Sequence, residues 1–236
     1  MKTKIIFQRK LTPVAGLLCL VLLLSSCLKD NTPAYNPPVA LVSFFQASPD
    51  QTALDLYFNN NKVNLGPIAY GTGLDYFRAF AGLRNINFYT YGVMNQVFTD
   101  TATIKANNIY SLFLANKATQ PDLVLLNDTI AQPAAGKASI RFVDLSPDAP
   151  HVDLVLNNNT EVANRTYKGF SSFLPVTGNT SYNIQVKETG TGTVLATLNN
   201  VTLNSNLVYT IIFSGLVSGS TPTDQPVIHY VINAYY

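Results

Sequence analysis

Apolar and polar positions alternate with a period of two along most of this chain. Leu54, Leu56 and Phe58 share one face, as do Val152, Leu154 and Leu156. Tyr110, Leu112 and Leu114 alternate with Ser111, Phe113 and Ala115, and both faces are apolar enough for a central strand. Past residue 38 no segment carries an apolar stripe at helical spacing. One continuous apolar run, Val14 to Leu24, stands apart near the N-terminus. It is too short for a spanning helix, which needs roughly 20 apolar residues. The pattern therefore predicts many short strands behind a brief apolar leader.

The strands come in two sets. Ala47-Ser48-Pro49-Asp50-Gln51-Thr52-Ala53-Leu54-Asp55-Leu56-Tyr57-Phe58-Asn59-Asn60-Asn61 aligns without gaps to Leu145-Ser146-Pro147-Asp148-Ala149-Pro150-His151-Val152-Asp153-Leu154-Val155-Leu156-Asn157-Asn158-Asn159. Tyr70 matches Tyr167, and Tyr76-Phe77 matches Phe173-Leu174. Ile109 to Ala115 matches Val208 to Ser214. A self-match of this order marks an internal repeat. The predicted organisation is a leader over 1–26, a tether over 27–38 and a first module over 39–130. A linker over 131–136 and a second module over 137–236 follow. So short a linker implies that the modules touch. The expected fold is all-β, two tandem sandwiches of immunoglobulin-like or transthyretin-like type.

Ser-Pro-Asp, a short gap, then Asp-Leu-(Tyr/Val)-(Phe/Leu)-Asn resembles the opening of the domain-of-unknown-function family numbered 4397. The later Tyr-led apolar strand matches it too, and the resemblance covers both modules. It implies secreted or lipid-anchored bacterial proteins with duplicated sandwich-like folds and no established activity. Module one departs from the pattern at Gln51-Thr52, where module two has Ala149-Pro150.

The leader has a basic start, Lys2, Lys4, Arg9 and Lys10, then the apolar run, then Leu24-Ser25-Ser26-Cys27. A run of roughly 7–15 apolar residues has the length of a signal-peptide core. The last four residues resemble a lipobox, in which small residues lie extended in the peptidase site and the Cys27 thiol takes the lipid. The alternative is an ordinary signal peptide with a chance cysteine. Acyl chains contribute ~0.8 kcal/mol per buried CH₂, and two chains anchor stably. No Asp follows Cys27 directly, so the inner-membrane retention signal of enterobacteria is missing. Lys29-Asp30 resembles, incompletely, the export signal of Bacteroidetes surface lipoproteins. The expected location is the outer membrane, facing either side, with the membrane itself a partner through lipid. Asn31 to Pro38, with Pro33, Pro37 and Pro38, reads as an extended tether.

Composition changes this picture in three places. Hydrophobic residues are 47% and charged ones 12%, which excludes a disordered polyelectrolyte. Formal charge is +2, but four of the fifteen basic residues precede Cys27 and no acidic residue does, leaving eleven against thirteen acidic. With no basic stripe either, nucleic acid is not an expected partner. Only Cys19 and Cys27 occur, so no disulfide framework exists and packing alone must hold each module.

Candidate chemistry is sparse. Each module carries two Asp five residues apart, Asp50 with Asp55 and Asp148 with Asp153, beside an Asn triplet. Oxygen clusters can hold Ca²⁺. Ser48-Pro49-Asp50 and Ser146-Pro147-Asp148 also read as structural turns in which Asp accepts from backbone amides, and that reading is preferred. No metal or cofactor is expected. His151 and His229 are the only histidines, and neither has a nucleophile and orienting acid implied around it. A hydrolase reading would need a cleft uniting His151 with Ser146. Asp100-Thr101-Ala102 and Asp128-Thr129-Ile130 resemble a Bacteroidetes O-glycosylation acceptor at Thr101 and Thr129. Tyr57, Tyr70, Tyr76, Tyr89 and Tyr91 can stack on sugar rings or simply be strand residues. The sequence thus points to a non-enzymatic envelope protein of structural, adhesive or binding type, engaging a surface glycan or an envelope protein. The rival reading is carbohydrate capture for nutrient uptake, which requires a surface row of tyrosines on one module.

Overall fold

The computed structural model describes residues 37–236. The leader, Cys19, Cys27 and most of the tether lie outside the described residues. Module one consists of β1 (Val39–Gln46), β2 (Leu54–Phe58), β3 (Asn61–Lys62), β4 (Gly73–Phe80), β5 (Gly82–Thr90), β6 (Gln96–Ile104), β7 (Ile109–Ala115) and β8 (Asp122–Asn127). Module two repeats the series as β9 (Lys137–Asp144), β10 (Val152–Leu156), β11 (Asn159–Arg165), β12 (Leu174–Thr177), β13 (Thr180–Glu188), β14 (Val194–Leu203), β15 (Leu207–Ser214) and β16 (Val227–Tyr235). No helix occurs among the described residues.

Each module is two four-stranded sheets. One, here the docking sheet, has the order β4-β1-β7-β8 in module one and β12-β9-β15-β16 in module two. The other, here the outer sheet, has the order β3-β2-β5-β6 and β11-β10-β13-β14. Every neighbour relation is thus repeated eight strands later. The central pairs β1/β7 and β9/β15 are parallel, and the other pairs are antiparallel. An immunoglobulin sandwich pairs its first strand with its second in one sheet. Here the first strand pairs with the fourth and seventh, so the transthyretin-like alternative is the one observed.

The alternation in sequence becomes inside and outside. Leu54, Leu56, Phe88, Leu112 and Ile86 fill the core of module one, and Leu154, Ile184, Phe142, Tyr209 and Ile211 that of module two. Turn chemistry follows composition. Ten described non-glycine residues have positive φ, and nine of them are Asn, including Asn59, Asn157 and Asn158 at the β2–β3 and β10–β11 hairpin tips. Asn tolerates this left-handed conformation better than most residues, which explains an Asn-rich chain.

The doubly apolar pattern of β7 has a separate cause. Tyr110, Leu112 and Leu114 face the module-one core. Phe113 and Ala115 face the other module. With Phe45, Ala47, Val124 and Leu126 they pack on Val143, Leu145 and Ile212 of module two, joined by Tyr167 and Val231. The two docking sheets therefore meet face to face and bury a third apolar cluster between the modules.

Candidate functional site

The repeated turn motif comes first. Ser48 and Pro49 are buried and Asp50 is exposed. The Asp50 carboxylate accepts from the Ala118 amide at 2.7 Å, in the β7–β8 loop. Asp148 does the same in module two with more bonds, accepting from the Val217 and Ser218 amides at 2.7 and 2.9 Å and the Ser218 hydroxyl at 2.6 Å. Burial alone would raise the Asp148 pKa, but these donors hold it below the ordinary value. Each first Asp thus ties its turn to a loop about seventy residues on, rather than closing its own turn.

The second Asp pins a different loop. Asp55 pairs with Lys62 at 2.7 Å, accepts from the Asn64 side chain at 2.9 Å and from the Gly92 amide at 3.1 Å. Against the raising effect of burial, the ammonium and these donors lower its pKa. Asp153 accepts from the Asn164 amide at 2.8 Å and the Thr189 hydroxyl at 2.5 Å. The two Asp of a module serve separate loops and do not converge on one point. Among the described residues no three His, Cys, Asp or Glu side chains gather as metal ligands would.

His151 is exposed, with Nδ1 2.6 Å from the Asn164 side-chain oxygen. Ser146 is fully buried and donates to the Gly215 carbonyl at 2.8 Å. The structure does not bring the two together. Thr101 is exposed in strand β6 rather than in a loop, and Thr129 is exposed just after β8.

The tyrosines separate into two groups. Tyr70 and Tyr76 point between the modules: the Tyr70 hydroxyl lies 2.9 Å from Ser214, and Tyr76 donates to Asp128 at 2.6 Å. Tyr57, Tyr89 and Tyr91 form a row on the outer sheet of module one. Tyr57 and Tyr89 are half-buried, edge to face at 5.1 Å between centroids, and Tyr91 is 41% exposed. The Lys62 ammonium sits over the Tyr91 ring at 5.4 Å, and the exposed Met94 sulfur accepts from the Tyr57 hydroxyl at 3.9 Å. Beside the rings lie Asn87 and Thr99, hydrogen-bonded at 2.8 Å. Pairing register gives the counterparts in module two. Tyr57 opposes Asn87 as Val155 opposes Gln185, and Asp55 opposes Tyr89 as Asp153 opposes Lys187. The Tyr91 amide donates to the Ala53 carbonyl as Thr189 does to that of His151. Val155, Lys187 and Thr189 thus stand where module one has three tyrosines.

A polar cluster that sequence reasoning did not find lies at the centre of the docking face. Arg141 and Asp128 pair at 2.5 Å with side chains 2% and 0% exposed. The guanidinium also donates to Ser111 at 3.0 Å and to Thr210 at 2.9 and 3.2 Å, and stacks 4.7 Å from the Phe173 ring. Asp128 accepts further from Ser111 at 2.7 Å, and Asn233 bonds Tyr76 and Thr210 at 2.8 and 2.6 Å. Burial, then the neighbouring Asp128 charge, pushes the Tyr76 hydroxyl up to about 12. The available signal was Arg141 itself, an arginine on the second face of a strand whose first face carries Ala138, Ile140 and Phe142.

No curated protein matches the chain. Among solved structures, a family 26 carbohydrate-binding module of Eubacterium rectale Amy13K in complex with maltoheptaose is 11% identical, covering 84% of this chain and 98% of that one, with a TM-score of 0.24. A protein of the domain-of-unknown-function family 1812 from Bacteroides thetaiotaomicron is 9% identical over 83% and 96%, with a TM-score of 0.26. A streptococcal virulence factor that binds α-glucan is 8% identical over 80% and 96%, with a TM-score of 0.24. At such scores neither architecture nor ligand is carried over. The family profile is different in kind, because it aligns to the sequence twice, the two matches overlapping over residues 144–155, which hold the second Ser-Pro-Asp turn. On its matches to residues 40–155 and 144–227, the chain belongs to the family described as a domain of unknown function, DUF4397.

Proposed function

We propose that the chain is a non-enzymatic binding protein, held at the outer membrane by lipid on Cys27. Module one presents the ligand surface and module two is its rigid base. The observation that carries this reading is the difference between the two outer sheets. Tyr57, Tyr89 and Tyr91 line one, and Val155, Lys187 and Thr189 replace them on the other. A shared scaffold needs no such difference. Partly exposed aromatic rings flanked by amides and hydroxyls match the chemistry of a sugar, which offers an apolar ring face edged with hydroxyl groups. A surface glycan is therefore the ligand class this face fits best. The fixed contact between the modules suits a base, since the ligand face then keeps one orientation.

The test has two parts. The full-length protein, purified in detergent, is applied to a glycan array beside the variant Tyr57→Ala/Tyr89→Ala/Tyr91→Ala. Binding that is lost in the variant supports the reading. Absence of binding to any arrayed glycan, or binding that survives the triple change, overturns the glycan assignment. Protease shaving of intact cells, with Cys27→Ala as control, tests the anchor and the side of the membrane on which the modules stand.

A further inference from the structure

The docking face is built as an isologous dimer within one chain. In such an interface residue i meets j wherever j meets i. Tyr70 of module one bonds Ser214 at the edge of module two, and its repeat equivalent Tyr167 bonds Asp122 at the matching edge of module one, at 2.7 Å. Val124 and His229 occupy equivalent positions, opposite Phe113 and Ile212. His229 packs on Phe45 at 5.3 Å, while Val124 shares its cluster with Val143, the equivalent of Phe45.

At the centre the symmetry is broken by chemistry. The parallel ladders set Ser43 opposite Ser111 and Arg141 opposite Thr210, so Ser43 and Arg141 are equivalent. Asp128 and Asn233 are equivalent as well, each two residues beyond the partner of Ser111 or Thr210. Tyr76 likewise stands for Phe173. Module one thus brings an acid and a serine, and module two an arginine and an asparagine. Where module one has Ser43 in place of the arginine, a cavity of about 140 Å³ remains, lined by Ser43, Tyr76, Ser111 and Asn233 among others.

We propose that Asp128 and Arg141 are a partner code, restricting this surface to unlike modules. Two copies of module one would bury two Asp128 carboxylates, each keeping Tyr76 and Ser111 of its own module but meeting only Ser43, and no cation, across the face. Two copies of module two would bury two guanidinium groups facing only Asn233. A buried charge without its partner is strongly unfavourable, so both like pairings fail and the unlike one succeeds. The partner this surface fits is therefore the complementary module of the same sequence.

The test keeps the folded chain and cuts it afterwards. A protease site is inserted between Ala131 and Gln132, both exposed, and the purified full-length protein is cleaved, diluted and reconcentrated. Native mass spectrometry then counts the pairs. The code predicts unlike pairs in at least tenfold excess over like pairs. The variant Asp128→Asn/Arg141→Ser gives each module the other's neutral residue, and there the preference should fall at least tenfold and both like pairs appear. A statistical mixture from the unmodified protein overturns the proposal. So does a failure of the halves to re-pair, or an unlike preference that persists in the symmetrised variant.

Discussion

Arg141 and Ser43 occupy the same place in two copies of one sandwich, yet one is a buried cation and the other a small hydroxyl beside a cavity. The same strand order in both copies shows that the scaffold tolerates either. The difference therefore belongs to what each copy faces, not to how each copy folds. It also sets the largest expected effect. Arg141→Ala leaves Asp128 buried without its counter-charge, and breaking such a pair typically costs about 3–5 kcal/mol. Ser43→Ala removes a hydroxyl whose contacts to Ser111 and the Tyr110 carbonyl are both 3.4 Å, a loss of about 1 kcal/mol or less. Chemical denaturation of the two variants measures the contrast, and equal losses would break it.

Asp144 and Gln46 form a second unequal pair, each at the end of the first strand of its module and fully buried. Each accepts from the serine amide of its Ser-Pro-Asp turn, Ser146 at 3.0 Å and Ser48 at 2.6 Å. One Asp144 oxygen has no hydrogen-bond partner. Burial pushes this carboxyl up to about 7, with the Ser146 amide only partly opposing it. A pKa raised by folding means that the unfolded chain gives up its proton first. Stability is then undiminished below about pH 4, falls by about 1.4 kcal/mol per pH unit up to about pH 7 and is level above that. His229 acts in the opposite sense, because burial lowers its pKa and stability falls as pH drops below that of a free imidazole. Subtraction isolates Asp144. The variant Asp144→Asn, an amide like Gln46, should match the parent at pH 4 and exceed it increasingly up to pH 7. A constant difference across that range would show that the buried carboxyl is compensated.

Sequence pattern carried the sandwich fold because a solvated sheet face and a packed one differ at every second residue. Leu54, Leu56 and Phe58 needed nothing more. The docking face was harder to read. Phe113 on β7 looked like ordinary core, and only the meeting of two sheets distinguishes a core face from an interface. Asp128 read as part of a glycosylation pattern because its partner Arg141 lies across a linker and on another sheet. Local spacing holds no trace of such a pair. The tyrosines divided for the same reason: Tyr76 and Tyr57 have similar neighbours in sequence, and topology alone sends one between the modules and the other to the surface.

The turn motif offers a smaller contrast. Asp148 accepts three hydrogen bonds from its loop and Asp50 one. Both carboxylates are exposed, so each bond contributes modestly. Asp148→Ala is expected to cost about 1 kcal/mol more than Asp50→Ala. The Asp148 pKa is held below its unfolded value, so this excess is present above about pH 4 and disappears as pH falls through the folded value. Urea titrations at pH 7 and at pH 2.5 check both statements. An excess that survives at pH 2.5 would assign it to packing instead of charge.

The outer sheets give the smallest effect on the fold and the sharpest one on binding. Tyr91 is exposed, and its contact with Lys62 is the only ring interaction it makes among the described residues. An exposed cation–π contact contributes about 0.5–1 kcal/mol, so Tyr91→Ala should leave stability within that margin. If the tyrosine row is a ligand platform, the same change should weaken binding to any glycan the protein recognises by about tenfold, equivalent to about 1.4 kcal/mol. Lys187→Ala, on the equivalent sheet of module two, should alter neither quantity. Calorimetry on both variants separates the roles of the two faces. Equal affinity for Tyr91→Ala and the parent would reduce the row to a local stabiliser of the Asp55–Lys62 loop. Weakened binding in Lys187→Ala would instead place the ligand on the outer sheet of module two, where Val155, Lys187 and Thr189 stand in place of the tyrosine row.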